Sequence, residues 1–387
     1  MTNFQLTAPC HFGVEAVLAR EIRDLGLEVT STVDGRVNFI GDEVGLCRAN
    51  LWLRTAERVL IETACFPART FEELFQGVRS VPWEMYLPVD AEFPVARVSS
   101  LRSKLFSTRD IQKITKKAMV ERLKSAYRQQ WFEETGSRYP LWVQISKDQV
   151  HLYLETSGAG LHKRGYRRNK NLAPLRETLA AALVSLIPWH TDRILVDPLC
   201  GSGTILIEAA LMGINKAPGL ERRFLAESWD FLPSDAWKIA REEAADLLKK
   251  DEVFRLQGYD IDDHVIRYAR ENARLAGVAD YLHLQRADVR NFRHSGKYGF
   301  ILCNPPYGER LEDRESVTAL YQDMRKVFDC LDTWSYSILT AFRGFEEVWG
   351  KPADRRRKLY NGRLKSTLYQ YMGPKPPRRH DLSLREK

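Results

Sequence analysis

The chain has little with which to cross-link itself. Its six cysteines lie far apart and form no CxxC pair, so neither a disulfide framework nor a structural zinc site is expected. Cys10 and His11 are adjacent, but two neighbouring ligands without further partners read as packing, and no metal is expected. No run of about eighteen apolar residues occurs, so no membrane span is expected. The opening Met1-Thr2-Asn3-Phe4 carries no charged and apolar leader, which points to a cytoplasmic protein. Internal repeats are absent. What is present is ordinary for a globular protein. Of 387 residues, 44% are hydrophobic and 28% charged, enough for two or three domains with real cores.

Charge is unevenly spread. Residues 1–96 hold 8 Lys+Arg against 14 Asp+Glu, whereas residues 97–130 hold 10 against 2. Residues 161–170 hold five basic groups and no acid. Two compact basic blocks suggest a nucleic-acid face, with a solvated helix face as the plainer alternative for either. In the first block, Ser107-Thr108-Arg109-Asp110 can cap a helix. Ile111, Ile114, Ala118, Met119, Leu123 and Tyr127 then recur at helical spacing. Lys113, Lys116, Lys117, Arg122 and Lys124 take much of the remaining surface and suit phosphate tracking. In the second block, Lys163, Arg164, Arg167 and Arg168 are the candidate nucleic-acid contacts. Elsewhere in this half, residues 13–25 and 50–62 read as helices, and residues 37–40 as a strand. Residues 141–154 read as two strands joined at Lys147-Asp148.

The carboxyl-terminal half carries chemistry. Ile194-Leu195-Val196 reads as a buried strand, and Asp197-Pro198-Leu199-Cys200-Gly201-Ser202-Gly203-Thr204 follows, then a helical run from Ile205. Strand, glycine loop and helix form the nucleotide-cradling arrangement. The dinucleotide fingerprint needs a third small residue where Leu206 stands. An acid ahead of the glycines would repel a pyrophosphate but attract an ammonium or sulfonium group. S-adenosylmethionine has both cations and no phosphate. Asp197, Pro198, Cys200, Gly201, Ser202, Gly203 and Thr204 are therefore its candidate contacts. Residues 256–262 end a second strand in carboxylates. Asp260, with Ile261 beside it, suits the two ribose hydroxyls, and Asp262 is the alternative. Residues 282–288 place Asp288 at the end of a third strand, with Val289 beside it, where Asp288 can accept from the adenine amine.

A fourth strand, Phe300-Ile301-Leu302, leads to Asn304-Pro305-Pro306-Tyr307. Two prolines fix two φ angles, remove two donors and hold the preceding residues extended. This stiff turn presents one amide, two carbonyls and one ring. That set suits a planar substrate with an exocyclic amine. The amine donates to Asn304 Oδ1 and the Pro305 carbonyl, while the base lies on Tyr307. Asn304, Pro305, Pro306 and Tyr307 are the candidate catalytic residues, with Asn304 also near the cofactor.

On residues 196–204, 258–262, 287–288 and 304–307, this half resembles class I S-adenosylmethionine-dependent methyltransferases of the amino-methylating group. The whole chain resembles the single-module, THUMP-containing bacterial methyltransferases of large-subunit ribosomal RNA that act on guanine N2. Residues 163–167, 173–179, 217–220 with Phe224 and Trp229, and 304–310 carry that resemblance. It implies an α/β doubly wound, mostly parallel sheet preceded by an α+β region, ferredoxin-like and then THUMP. The expected division is an RNA-binding region at 1–156, with THUMP at about 45–156. A basic linker at 157–172, a methyltransferase domain at 173–373 and a polar tail at 374–387 follow. The roughly forty residues inserted before Asp260 are expected to cover or flank the site. The implied reaction consumes S-adenosylmethionine, releases S-adenosylhomocysteine and uses 23S ribosomal RNA as partner. Rival readings are a transfer-RNA guanine-N2 methyltransferase, an N6-adenine methyltransferase, a nicotinamide oxidoreductase and a non-catalytic RNA-binding protein.

Overall fold

The computed structural model describes residues 3–167, 175–249, 251–308, 313–362 and 364–377. They form two compact units. The first holds residues up to Cys10, Leu18–Leu161 and Gly219–Asp246, and the second holds His11–Val17, His162–Pro218 and residues from Leu247 onward.

The first unit begins β1 (Phe4–Pro9), α1 (Glu15–Asp24), β2 (Glu28–Val33), β3 (Arg36–Gly41), α2 (Glu43–Trp52) and β4 (Leu60–Pro67). It continues with α3 (Phe71–Ser80), β5 (Val95–Leu101), α4 (Thr108–Tyr127), β6 (Leu141–Ser146) and β7 (Gln149–Glu155). All seven strands share one sheet, ordered β2-β3-β1-β4-β7-β6-β5. The expected helix over 50–62 does not form. α2 starts earlier, where Asp42 accepts from the Gly45 amide, and stops at Trp52. Residues 60–67 instead pair antiparallel with β7. Sheet partners distant in sequence override a local helical pattern here. Ser107 caps α4 as expected, and Lys147 and Asp148 turn the β6–β7 hairpin with φ of 52° and 63°. Ile111, Met119 and Leu123 of α4 join Phe39, Val143 and Leu152 of the sheet in one core.

The insertion after the first helix of the carboxyl half does not line the catalytic cleft. Its residues 219–246, including α7 (Ser234–Asp246), belong to the first unit. Trp229 stacks on Tyr139 with centroids 4.9 Å apart, and Glu243 accepts two hydrogen bonds from Arg48, at 2.6 and 2.7 Å.

The second unit holds α5 (Glu177–Ser185), β8 (Leu195–Asp197), α6 (Thr204–Gly213), β9 (Leu256–Asp260), α8 (Asp263–Ala276) and β10 (Leu282–Arg286). β11 (Phe300–Cys303), α9 (Arg314–Phe328), β12 (Ser335–Thr340), α10 (Phe345–Trp349), β13 (Arg355–Asn361) and β14 (Leu364–Tyr371) complete it. The sheet order is β10-β9-β8-β11-β12-β14-β13. The first five strands are parallel, and β14 and β13 run antiparallel. Strand order reverses between β8 and β11, which opens a crevice at their carboxyl ends. The central parallel strands are buried because both sheet faces are covered there: every residue of β8, β11 and β12 is buried. No described helix is long and apolar enough to cross a membrane.

Candidate active site

A cleft of about 1210 Å³ lies at the carboxyl ends of β8, β9, β10 and β11. It exceeds the roughly 300–1,000 Å³ of an ordinary small-molecule site and has room for a cofactor and a base together. Pro198, Gly201, Ser202, Asp260, Ile261, Asp288, Val289, Asn304, Pro305, Pro306 and Tyr307 all line it. These residues span more than a hundred positions of sequence, and the strand ends bring them together.

The glycine loop leaves β8 and enters α6. Gly201 and Gly203 have φ of +53° and +79°, a region that side chains with a Cβ rarely adopt. A Cβ on Gly203 would also lie 3.2 Å from Ala269. The Gly201 amide donates to Asp260 Oδ2 at 3.0 Å, and the Asp262 amide donates to Asp260 Oδ1 at 3.0 Å. The second acid is used elsewhere. Asp262 Oδ1 accepts from the His264 amide at 2.8 Å and caps α8. Of the two ribose candidates, only Asp260 lines the cleft.

Four expected contacts are placed differently. Asp197 is 2% exposed and lies beneath the cleft, accepting from the Leu199 amide at 3.1 Å. Burial, with Asp260 close by, pushes its carboxyl well above the usual range. Cys200 and Thr204 are buried as well. These three shape the loop and do not line the cleft, and neither does Gly203.

Asp288 carries a partner that the sequence did not announce. Arg290 Nε donates to it at 2.9 and 3.0 Å, and this guanidinium holds its carboxyl below the usual range. At the tetrapeptide, the Tyr307 hydroxyl donates to Asn304 Oδ1. An incoming amine must share or displace that hydroxyl. Tyr321 on α9 is fully buried. Its hydroxyl donates to the Pro306 carbonyl at 2.7 Å and meets Thr340 Oγ1 at 2.8 Å, so the stiff turn is braced from below. Nothing local to the tetrapeptide marks Tyr321, which stands only as one apolar position of a helical repeat.

The cleft's charge tests the cofactor. Asp260, Asp288, Asp313 and Asp323 line it against Arg176 and Arg290, and Arg290 is committed to Asp288. An acid-rich wall disfavours a pyrophosphate and suits a ligand bearing an ammonium, a sulfonium and ribose hydroxyls. The residues present fit S-adenosylmethionine. Among the described residues, Glu62, Cys65 and His151 are the group able to hold a metal ion, on the first unit's sheet.

The expected basic contacts fare unevenly. Arg164 is a correction: its side chain is 3% exposed and sits 3.5 Å from the buried Glu208, so it holds the fold together and no phosphate can reach it. Arg167 donates to the Leu175 carbonyl and to Thr204 Oγ1, at 2.9 and 2.8 Å. Lys116 is also committed, with Nζ 2.7 Å from Glu134 and 3.0 Å from the Phe93 carbonyl. Arg122 pairs with Glu84 and Lys124 with Glu121. Lys113, Lys117 and Lys163 are exposed. Arg168, like Pro174 and Arg310, lies outside the described residues.

Comparison with known proteins agrees with this architecture. The RMKL-like methyltransferase domain matches residues 164–370, the RlmL ferredoxin-like domain residues 5–60, and the THUMP domain residues 68–155. The candidate RNA methyltransferase YpsC of Bacillus subtilis (strain 168) is 45% identical over 98% of both chains. The ribosomal RNA large subunit methyltransferase K/L of Syntrophotalea carbinolica is 36% identical over 95% of this chain and 53% of its own length. The chain thus spans about half the length of the K/L relatives. Among solved structures, a possible methylase from Clostridium difficile 630 aligns over 97% of this chain and all of its own, at TM-score 0.95 and 48% identity. A Listeria monocytogenes (str. 4b F2365) protein described as an N6-adenine-specific DNA methylase aligns over 97% of both chains, at TM-score 0.92 and 48% identity. SMU.472, a methyltransferase candidate complexed with S-adenosylhomocysteine, aligns over 97% of this chain and all of its own, at TM-score 0.92 and 42% identity.

Proposed function

The chain belongs to the RMKL-like methyltransferase family, with ferredoxin-like and THUMP domains ahead of the catalytic one, and from that premise we propose that it methylates the N2 amine of a guanine in large-subunit ribosomal RNA. S-adenosylmethionine, when bound, supplies an electrophilic methyl group on a sulfonium. Asp260 accepts from the ribose hydroxyls, and Asp288 from the adenine amine beside its Arg290 partner. Pro198, Gly201, Ser202, Ile261 and Val289 form the walls.

One observation carries the reading. Asn304, Pro305 and Tyr307 line the same cleft as Asp260 and Asp288, so an amine-orienting turn faces a nucleoside-holding wall. The target guanine leaves its stack to reach it, because its edge is closed inside a paired helix. Tyr307 stacks on the base. Asn304 Oδ1 and the Pro305 carbonyl accept from the amine and aim its nitrogen. Orientation and electrostatics do the work, and the proton that the alkylated nitrogen must lose passes to solvent water. A large-subunit RNA target is suggested by the names of the K/L relatives. A second reading, N6-adenine methylation, is favoured by the description of the Listeria structure, since the same turn accepts any exocyclic amine.

The deciding experiment incubates the purified chain, a donor with an isotope-labelled methyl group, and either large-subunit ribosomal RNA or duplex DNA. Nucleosides from each are then resolved by mass spectrometry. Labelled N2-methylguanosine from RNA is the expected product. Labelled N6-methyladenosine, or label in DNA alone, would overturn the proposal.

A further inference from the structure

The β13–β14 hairpin is a third basic block, apart from residues 97–130 and 161–170. Residues 355–371 hold six Lys+Arg and no acid. Arg355, Arg356, Arg357 and Lys358 stand consecutively on β13, and all four are exposed. β13 is the last strand of the sheet, and the Gly13 backbone lies against it at the Lys358 carbonyl, leaving no room there for a Cβ, so what β13 offers outward is its side chains. Little in the fold uses this charge. Arg356 pairs with Glu346 at 2.9 Å. Arg357 reaches the Gly13 carbonyl at 3.4 Å. Lys358 Nζ lies 6.0 and 5.6 Å from the ring centroids of Phe12 and Tyr360. Among the described residues no carboxylate pairs with Arg355, Arg357 or Lys358.

Position gives this charge a direction. The strand runs from Arg355 to Asn361, about 20 Å at the usual rise. Its tip, Asn361, Gly362 and Leu364, lines the catalytic cleft together with Asn304 and Tyr307. Phe12 is 42% exposed and meets Tyr360 edge-on at 5.7 Å, an aromatic pair beside the cations. We infer that the exposed basic side chains of β13 form the track along which the RNA strand flanking the target base is held. Arg355, Arg357 and Lys358 take its phosphates, and Phe12 with Tyr360 offers a surface for an unpaired base. The inference rests on the RNA reading above. The plainer role for such a strand is protection, because charged edges block strand-to-strand aggregation.

The test is the full chain with Arg355→Gln, Arg357→Gln and Lys358→Gln combined, bound to a labelled single-stranded RNA of about 12 nucleotides. RNA affinity should fall at least tenfold. The slope of log affinity against log salt should flatten by about 0.7 for each phosphate released from the protein. S-adenosylhomocysteine affinity should stay at the wild-type value. Arg355→Lys with Arg357→Lys should keep the wild-type salt slope. Wild-type RNA affinity and slope in the triple variant would overturn the inference and leave edge protection as the role. If the triple variant also loses S-adenosylhomocysteine, the fold is damaged. The single Arg355→Gln, which breaks no carboxylate pair among the described residues, then decides by whether its salt slope flattens. A wild-type chain that binds and methylates no RNA would instead sink the RNA reading itself.

Discussion

Asp260 and Asp262 are two residues apart and chemically alike, and the backbone gives them different work. Asp260 organises the Gly201 and Asp262 amides and faces the cleft, whereas Asp262 caps α8. Asp260→Ala should therefore weaken S-adenosylhomocysteine binding at least tenfold, or about 1.4 kcal/mol, by calorimetry. Asp262→Ala should cost about 1 kcal/mol of stability through removal of the cap and leave cofactor affinity nearly intact. The reverse pattern would transfer the ribose contact to Asp262. Asn304 and Tyr307 form the other residue pair. Asn304→Ala should reduce turnover by roughly a hundredfold or more while S-adenosylhomocysteine still binds. Tyr307→Phe should be milder than Tyr307→Ala, because the ring is kept and the Asn304 acceptor is freed. Full single-turnover activity in Asn304→Ala would remove the amide from the mechanism.

Among the elements, α1 is tied to the turn after α2 by one carboxyl. Glu21 Oε2 accepts from the amides of Arg54 and Thr55, at 3.0 and 3.2 Å, and from the Thr55 hydroxyl at 3.0 Å, while Oε1 is buried without a hydrogen bond among the described residues. Burial outweighs these bonds and pushes the carboxyl up to about 7. The folded state then holds its proton more tightly than the unfolded chain does. Its contribution to stability is complete below the unfolded value of about 4.5 and is lost as pH rises toward about 7. Glu21→Gln should remove that loss. In chemical denaturation at about pH 5 and about pH 8, wild-type stability should fall relative to the variant as pH rises. A difference that stays constant with pH would mean the carboxyl does not titrate in this window. α4 shows the same lesson for charge. An amphipathic pattern marks a cation's side of the helix but not whether an acid waits there, as Glu134 does for Lys116.

For the whole molecule, the strand ends of one unit form a wall rich in aspartate, and such a wall binds by charge and hydroxyl pattern. S-adenosylhomocysteine should raise the melting temperature of the intact chain. At a hundred times Kd the linkage is worth about 2.7 kcal/mol. NAD should leave it unchanged, because the loop lacks the fingerprint for a pyrophosphate. Equal stabilisation by NAD in a thermal-shift titration would contradict the charge argument.

Where information is local, the amino-acid order was enough. The glycine loop needs left-handed φ at Gly201 and Gly203, the double proline sets its own backbone, and short strand candidates leading into Asp197, Asp260, Asp288 and Asn304 mark one line of residues at the carboxyl ends of a sheet. Ser107 and Lys147-Asp148 likewise specify a cap and a turn by short-range geometry. Whatever depends on partners far along the chain was decided by packing. Packing turned residues 60–67 into a strand by pairing them with β7, gave residues 219–246 to the first unit and placed Tyr321 beneath Pro306. It also buried Arg164 against Glu208 while leaving Arg355 and Lys358 exposed. Charge is written in the sequence, but its availability depends on which counter-charge folding brings within about 4 Å, and no local pattern encodes that distance.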